Sequence, residues 1–152
     1  MRLDKVDPPV DLDHDHVLGP AAAELTLVEY GSYSCGPCHA VHEVIEELRN
    51  RFGEQMRYVF RHLPMAGSED AVHPAELAEY AAETTGGFWE VHEALMERGP
   101  VFSAGDFERI AREGNLPTSA GHEAAVAAAQ ERVGEDIESA RRSGARVTPT
   151  FF

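Results

Sequence analysis

Residues 25–38, which read LTLVEYGSYSCGPC, decide the fold. The first six of them are rich in β-forming side chains and predict a central strand. A turn follows over residues 31–34, and we expect a helix from Cys35, because apolar side chains then recur at three- and four-residue intervals as far as Phe52. Gly53 is expected to end that helix. The two cysteines of the chain therefore lie where a strand passes into a helix.

The rest of the sequence continues to alternate between strand and helix patterns. Residues 56–63 predict a second strand, which completes a β-α-β unit with a right-handed crossover. Alanine- and glutamate-rich segments predict helices over residues 75–85, 87–98, 104–114 and 121–142. The last segment, VTPTFF, returns to β character. Together these patterns predict an α/β fold in which helices lie between two strand regions.

We divide the chain into four parts on these patterns. An extended arm covers 1–23, a β-α-β half covers 24–66, a helical domain covers 67–145, and a second strand-containing half begins at 146–152. A strand that ends on two bare aromatic residues lacks the neighbours that would cover its edge. We therefore expect a C-terminal strand and helix of the fold to be missing from the sequence.

The composition excludes some classes of function. The chain has 152 residues, which suits one domain, and its 13 basic and 27 acidic residues give a formal net charge of −14. Such a surface repels phosphate backbones, so we expect no nucleic-acid partner. The acidity fits either ordinary solubility or a salt-adapted source, and the composition leaves both open.

The hydropathy pattern gives no sign of membrane insertion. No stretch approaches the roughly 18 uninterrupted apolar residues of a spanning helix, and the N-terminus lacks the apolar region of a secretory signal. A cytoplasmic location is the default expectation. A periplasmic or membrane-tethered location is the alternative if the sequence is a fragment of a longer protein.

The CxxC pair is more plausibly chemical than structural. A bridge that closes so short a loop gains little from chain entropy. The thiolate is the attacking species in disulfide exchange, and a helix N-terminus favours negative charge by about 0.3–1 kcal/mol. We therefore predict that Cys35 is the nucleophile and that Cys38, one turn inward, resolves the mixed disulfide. Pro37 suits a first helical turn, and Gly36 lets a substrate backbone approach closely.

Two other interpretations of the cysteine pair remain open. Zinc prefers four ligands, and His39 and His42 follow the cysteines closely enough to complete a Cys2His2 set on paper. However, His39 would point away from Cys38 on a helix. The second alternative is an inert, buried pair. We predict no metal and no cofactor at this site.

Two residues outside the pair favour redox chemistry. Glu29 lies within an apolar strand, so burial beneath the helix would raise its pKa and allow it to exchange a proton with Cys38. The alternative for Glu29 is a solvated position at an edge. Pro149 interrupts a strand-like run, which indicates a bulge, an edge or a cis bond. A cis bond would expose backbone groups of Thr148 to an extended substrate peptide.

At this point the sequence resembles the DsbA-like branch of the thioredoxin superfamily, a group that also contains thioredoxin-like domains appended to sodium/proton antiporters. The segments that match are DHVLGPAAAELTLVEYGSYSCGPC, YVFRHLPM, HPAELAEYAAETTGGFWEVHEALM and VTPTFF, which span most of residues 15–152. The resemblance implies a thioredoxin-like sheet with an inserted helical domain. It also implies that Cys35 and Cys38 are the nucleophile and the resolving cysteine, that Glu29 is the buried acid, and that Pro149 is the cis-proline with Thr148 before it.

The resemblance implies a protein disulfide oxidoreductase with protein thiols or disulfides as substrates and a redox protein as partner. Strongly oxidising members carry a histidine between the cysteines, where this sequence has Gly36 and Pro37. Reductase or isomerase activity is therefore at least as well supported as disulfide donation. A second hypothesis is a redox-sensing or interaction domain tethered to a larger membrane or signalling protein.

Overall fold

The computed structural model describes residues 5–65 and 68–152, and its centre is a mixed four-stranded sheet. The strands are β1 (His16–Leu18), β2 (Leu25–Gly31), β3 (Met56–His62) and β4 (Thr150–Phe151), in the spatial order β1-β3-β2-β4. The two central strands, β2 and β3, are parallel, whereas β1 and β4 pair antiparallel at the edges. The mixed α/β fold class predicted from the sequence is confirmed.

In the described ranges, five α-helices accompany the sheet. They are α1 (Gly36–Phe52), α2 (Glu69–Thr85), α3 (Phe88–Arg98), α4 (Ala104–Glu113) and α5 (Glu123–Ser143). The first connects the parallel strands, and the other four lie in sequence between β3 and β4. Among the described residues, no helix is both long and apolar enough to cross a membrane.

Side chains of the central strands alternate between two cores, as the pleat of a strand requires. On one face, Tyr58 and Phe60 pack with Ile45 of α1 and with Phe88 and Leu95 of α3. On the other face, Val28, Tyr30 and Val59 pack with Ala140 of α5 and with Ala145 just beyond it. Leu27 packs against the first core, so Glu29, two residues later on β2, projects to the same side as α1.

The structure differs from the sequence prediction in the arm at 1–23. Part of that arm is β1, whose residues pair with β3 so that His16 lies opposite Phe60. The arm also contacts α5, since the backbone N–H of Asp7 donates to the Ser143 hydroxyl at 2.8 Å. Sequence reasoning missed the strand because three residues, two of them without β-branching, give no periodic signal.

Helix α2 begins at Glu69 rather than near residue 75, although Pro74 lies inside it. A proline there cannot donate a hydrogen bond to the carbonyl four residues earlier, which belongs to Asp70. That carbonyl accepts the hydroxyl of Ser34 instead, at 3.2 Å. A side chain next to the cysteine pair therefore replaces a hydrogen bond that the helix lacks.

Candidate active site

The cysteine pair occupies the N-terminus of α1. Cys35 is the N-cap residue in an extended conformation (φ −105°, ψ 113°), and Pro37 lies in the first turn, where its missing N–H costs nothing. Both cysteines are free thiols. Cys35 is half-buried, whereas Cys38 is completely shielded from solvent, with 0% exposure. One thiol is therefore reachable and the other is not.

Burial keeps the Cys38 thiol protonated. Burial, the neighbouring Cys35 thiol and the charge of Glu29 together raise the pKa of Cys38 to about 12, although a backbone hydrogen bond at Ser32 opposes them. At neutral pH this thiol cannot attack unless a base removes its proton. The arrangement needs a proton acceptor near Cys38.

Glu29 is a buried carboxyl group on the side of β2 that faces α1, and a carboxylate can accept a proton. It is 1% exposed, which excludes the solvated edge position that the sequence left open. Burial raises its pKa to about 7, against the hydrogen bond from Tyr58 and the charge of His42, which lower it. The Tyr58 hydroxyl donates to Oε2, whereas Oε1 is buried and has no hydrogen-bond partner within the described part of the chain. An unpaired buried carboxylate oxygen is costly in a folded protein and is often functional.

The segment before β4 contacts Cys35. The Thr148–Pro149 peptide bond is cis, and the Cys35 Sγ donates to the Thr148 carbonyl oxygen at 3.5 Å. Pairing of β4 with β2, in which Phe151 lies opposite Glu29, places this segment there. Thr148 and Pro149 are both half-buried, and Gly36 and Pro37 are exposed. The structure therefore brings Thr148, predicted from the end of the sequence, into contact with the Cys35 sulfur.

His39 and His42, the two histidines that could have completed a zinc site with the cysteines, form hydrogen bonds to other groups. The ring of His39 lies between the carbonyl oxygens of Tyr33 and Met96, and the ring of His42 bonds to the Glu93 carboxylate at 2.9 Å. Two groups of candidate metal ligands occur among the described residues, and neither contains a cysteine. These groups are His42, His92 and Glu93, and His62, Glu79 and Asp136. The Cys2His2 set drawn from the sequence is not assembled.

Sequence reasoning missed two tyrosines at the site. Tyr58 donates to Glu29, and Tyr33, just before the cysteine pair, bonds through its hydroxyl to His92 Nδ1 at 2.9 Å. Tyr58 lies opposite Leu27 in the parallel register, one pleat from Glu29 on the same face. A register prediction for β2 and β3 could have found this pair, but no sequence signal points to the Tyr33–His92 contact.

Comparisons with known proteins bear on the fold and the family of the chain. The family model for thioredoxin matches residues 11–152. A Na(+)/H(+) antiporter NhaA from Nitrosospira multiformis is 52% identical over 149 residues, which are 97% of this chain and 24% of that protein. The chain thus spans about a quarter of the length of that curated relative.

Solved structures show the same fold. A thioredoxin-like oxidoreductase from Silicibacter pomeroyi superposes with a TM-score of 0.78 at 26% identity, covering 100% of this chain and 85% of that one. The thiol-disulfide exchange protein alpha-DsbA2 from Wolbachia pipientis gives a TM-score of 0.77 at 20% identity, covering 93% and 76%. The fold is therefore DsbA-like, with helices inserted into a thioredoxin-like sheet, and the chain belongs to the thioredoxin family.

Proposed function

We propose that this protein exchanges disulfides with protein substrates through Cys35 and Cys38. The observation that carries the proposal is the contrast between the two thiols: Cys35 is half-buried at a helix N-terminus, and Cys38 is fully buried one turn below it. The start of the helix places unpaired N–H groups and the positive end of the helix dipole at Cys35. The pair fits a nucleophile that substrates reach and a second thiol that acts only after the first has reacted.

In the reducing direction the exchange takes two steps. The Cys35 thiolate attacks one sulfur of a substrate disulfide, forms a mixed disulfide and releases the other substrate sulfur as a thiolate. The Cys38 thiol then gives its proton to the Glu29 carboxylate and attacks Cys35 Sγ. This step releases the second substrate thiolate and leaves a Cys35–Cys38 disulfide. The substrate gains two electrons, and the two cysteines lose them.

The rim of the site supports a role in binding substrate. Thr148 and Pro149 lie beside Cys35 Sγ, so an extended peptide could pair with the backbone at Thr148. Gly36 and Pro37 are exposed, and a Cβ at Gly36 would meet nothing within 4 Å, so there is room for a substrate backbone. We therefore assign these four residues to substrate contact.

Gly36 and Pro37 between the cysteines favour a reductase or an isomerase at least as much as an oxidase. Without an imidazole at either position, one source of thiolate stabilisation is absent from within the CxxC loop. Each 1.4 kcal/mol of lost stabilisation of the reduced form shifts the potential by about 30 mV in the reducing direction. Repeated turnover as a reductase requires a dithiol protein that reduces the Cys35–Cys38 disulfide again.

Serine substitutions test the assignment of the two cysteines. In an insulin-reduction assay we expect Cys35→Ser to abolish activity, because no nucleophile remains. We expect Cys38→Ser to accumulate mixed disulfides on Cys35, visible as adducts by mass spectrometry, because resolution is blocked. Full insulin reduction by Cys35→Ser would overturn the assignment.

A second candidate function is that of a redox-sensing domain tethered to a membrane transporter. The 52% identity to part of an antiporter, over nearly the whole of this chain, favours it. The parent coding sequence tests this proposal. One reading frame that joins this domain to membrane-spanning segments supports tethering, whereas independent start and stop codons around the domain contradict it.

A further inference from the structure

The imidazole of His39, the residue after Cys38, is held between two carbonyl oxygens. Its Nδ1 lies 2.8 Å from the Met96 oxygen, and its Nε2 lies 2.6 Å from the Tyr33 oxygen. A carbonyl oxygen only accepts hydrogen bonds, so both ring nitrogens must donate. A neutral imidazole carries one N–H and would point a lone pair at one of the oxygens. Both bonds form together only in the imidazolium ion.

The backbone of His39 borders the redox site. Tyr33 precedes Cys35 by two residues, and the His39 backbone N–H donates to the Cys35 carbonyl at 3.3 Å, across one helical turn. Met96 belongs to the last turn of α3, where unpaired carbonyls and the negative end of the helix dipole favour a cation. The His39 ring therefore links the loop before Cys35 to the inserted helices.

The chain leaves room for this ring at Gly99. A Cβ at that position would lie 2.4 Å from Cε1 of His39 and 2.6 Å from Nε2. Real Cβ atoms do not approach other atoms so closely, so any other residue at 99 would displace the ring or the loop. The close approach shows that the ring position depends on glycine at this point of the chain.

The charged side chains on the neighbouring helices either form ion pairs with other residues or make no hydrogen bond to the His39 ring. On α3, Glu93 pairs with His42, and Arg98 pairs with Asp106 at 2.7 Å. Acidic side chains near in sequence include Glu43 on α1 and Glu97 on α3, and His92 on α3 is a titratable neighbour whose pKa is lowered by burial and by charges that include that of His39. Within residues 5–65 and 68–152, no carboxylate bonds to the His39 ring, so the two carbonyl oxygens solvate its charge.

We propose that His39 is a positioning residue, held as an imidazolium by Tyr33 and Met96, whose charge favours the Cys35 thiolate. The proposal rests on the disulfide-exchange function proposed above and adds a determinant of its potential. The cation that is absent between the cysteines is supplied by the residue that follows them. His39 donates no proton to substrate and forms no covalent bond in this role.

The first quantity to measure is the alkylation rate of Cys35, which depends on the fraction present as thiolate. In reduced protein at pH 7, we expect His39→Gln to lower the rate of Cys35 alkylation by iodoacetamide at least threefold, because the neutral amide removes the cation. We expect the equilibrium constant for closing the Cys35–Cys38 disulfide with oxidised glutathione to rise by a similar factor. A tenfold rise would correspond to about 30 mV.

A second variant perturbs the position of the His39 ring without changing His39 itself. Gly99→Ala should lower the alkylation rate in the same direction, and the double variant with His39→Gln should show little further change. Gly134→Ala is the matched control, because a Cβ at that helical position meets nothing within 4 Å and should leave the rate unchanged.

The charge state is measured directly by ¹⁵N NMR of the imidazole in the wild-type protein at pH 7, where both nitrogens should show the shifts of a protonated ring. A neutral-ring signature, or alkylation rates of His39→Gln and Gly99→Ala equal to that of wild type, would overturn the proposal. Neither readout needs turnover. If wild-type protein fails to reduce insulin, the proposed function fails while these measurements still decide the role of His39.

Discussion

At the scale of single residues, the proposed chemistry depends on a buried carboxyl group that can change its charge near neutral pH. Glu29 has a pKa of about 7, raised mainly by burial, and one of its oxygens is unpaired. Cys38, with a pKa of about 12, stays protonated over the same range. In the proposed resolving step Glu29 is the proton acceptor and Cys38 the proton donor, because an ionised carboxylate is available above pH 7 while the thiol still carries its proton.

The first prediction at this scale concerns the resolving step. In wild-type protein the rate of mixed-disulfide resolution should rise as the pH increases through 7, because Glu29 must be ionised to accept the Cys38 proton. Glu29→Gln should lower this rate by about 100-fold at pH 8 and remove the inflection near 7. Stopped-flow measurement of resolution from pH 5 to 9 checks it. The control is Glu24→Gln, an exposed carboxyl just before β2, and an unchanged profile in Glu29→Gln would contradict the role.

The second prediction concerns stability. The pKa of Glu29 is about 7 in the folded chain against 4.5 in the unfolded one, so between these values the folded state binds more protons. The free energy of unfolding should therefore fall as the pH rises from below 4.5 to above 7, by about 3 kcal/mol from this group alone.

Urea unfolding of the reduced protein at pH 4.5 and pH 8 measures this loss. Glu29→Gln should lose less stability over the interval than wild type, and the difference between the two proteins isolates the contribution of Glu29. Glu24→Gln should behave as wild type. Equal losses in Glu29→Gln and wild type would show that Glu29 is already ionised at the acid end.

At the scale of elements, a buried ionic contact joins the sheet to α2. Glu79 of α2 is 2% exposed and accepts from His16 Nε2 of β1 at 2.8 Å and from His62 Nε2 of β3 at 2.7 Å. Burial would raise the pKa of Glu79, but the hydrogen bonds from both histidines outweigh it, so the net pKa lies below its ordinary value. The carboxylate is therefore ionised at neutral pH, and its stabilising contribution is lost as the pH falls.

Removing the Glu79 carboxylate should lower the stability of the fold. We expect Glu79→Ala to lower the free energy of unfolding by about 3–5 kcal/mol, because it leaves two histidines, one of them fully buried, without their acceptor. Glu83→Ala, an exposed position one turn later on the same helix, should change it by less than about 0.5 kcal/mol. Thermal or urea unfolding at pH 7 compares them, and equal stabilities would show that the contact contributes little.

Element boundaries were predictable where a local signal exists. Helix α1 runs as far as Phe52 and is capped by Gly53, as its apolar spacing and the glycine predicted. Helix α2 was predicted too short because its missing hydrogen bond is replaced by Ser34, which is distant in the sequence. The sequence of the helix alone therefore gives no sign that the Ser34 hydroxyl will supply this hydrogen bond.

At the scale of the whole molecule, the sequence predicted the fold class and the position of the cysteine pair, but not the contacts that couple distant segments. Glu29 and Cys38 stand out as local anomalies in a strand and a helix. In contrast, the contact of His39 with Met96 and the pairing of β1 with β3 join segments far apart in the chain. Such contacts depend on how the inserted helices pack on the sheet, which periodicity within one segment does not encode.

The architecture also explains why the two cysteines differ. Helix α1 packs on the sheet through residues such as Ile45, so its inner face is buried, while its N-terminus projects past the carboxyl ends of the parallel strands. Cys35 lies at that end and Cys38 on the inner face. The difference in access between the two thiols is a consequence of the fold and needs no motion of the domain.

Site-resolved alkylation of the native, reduced protein tests this account most directly. Limited treatment with iodoacetamide at pH 7, followed by peptide mapping, should label Cys35 and leave Cys38 unlabelled until the protein is unfolded. Labelling of Cys38 at a rate equal to or above that of Cys35 would contradict the division of roles on which the proposed chemistry depends.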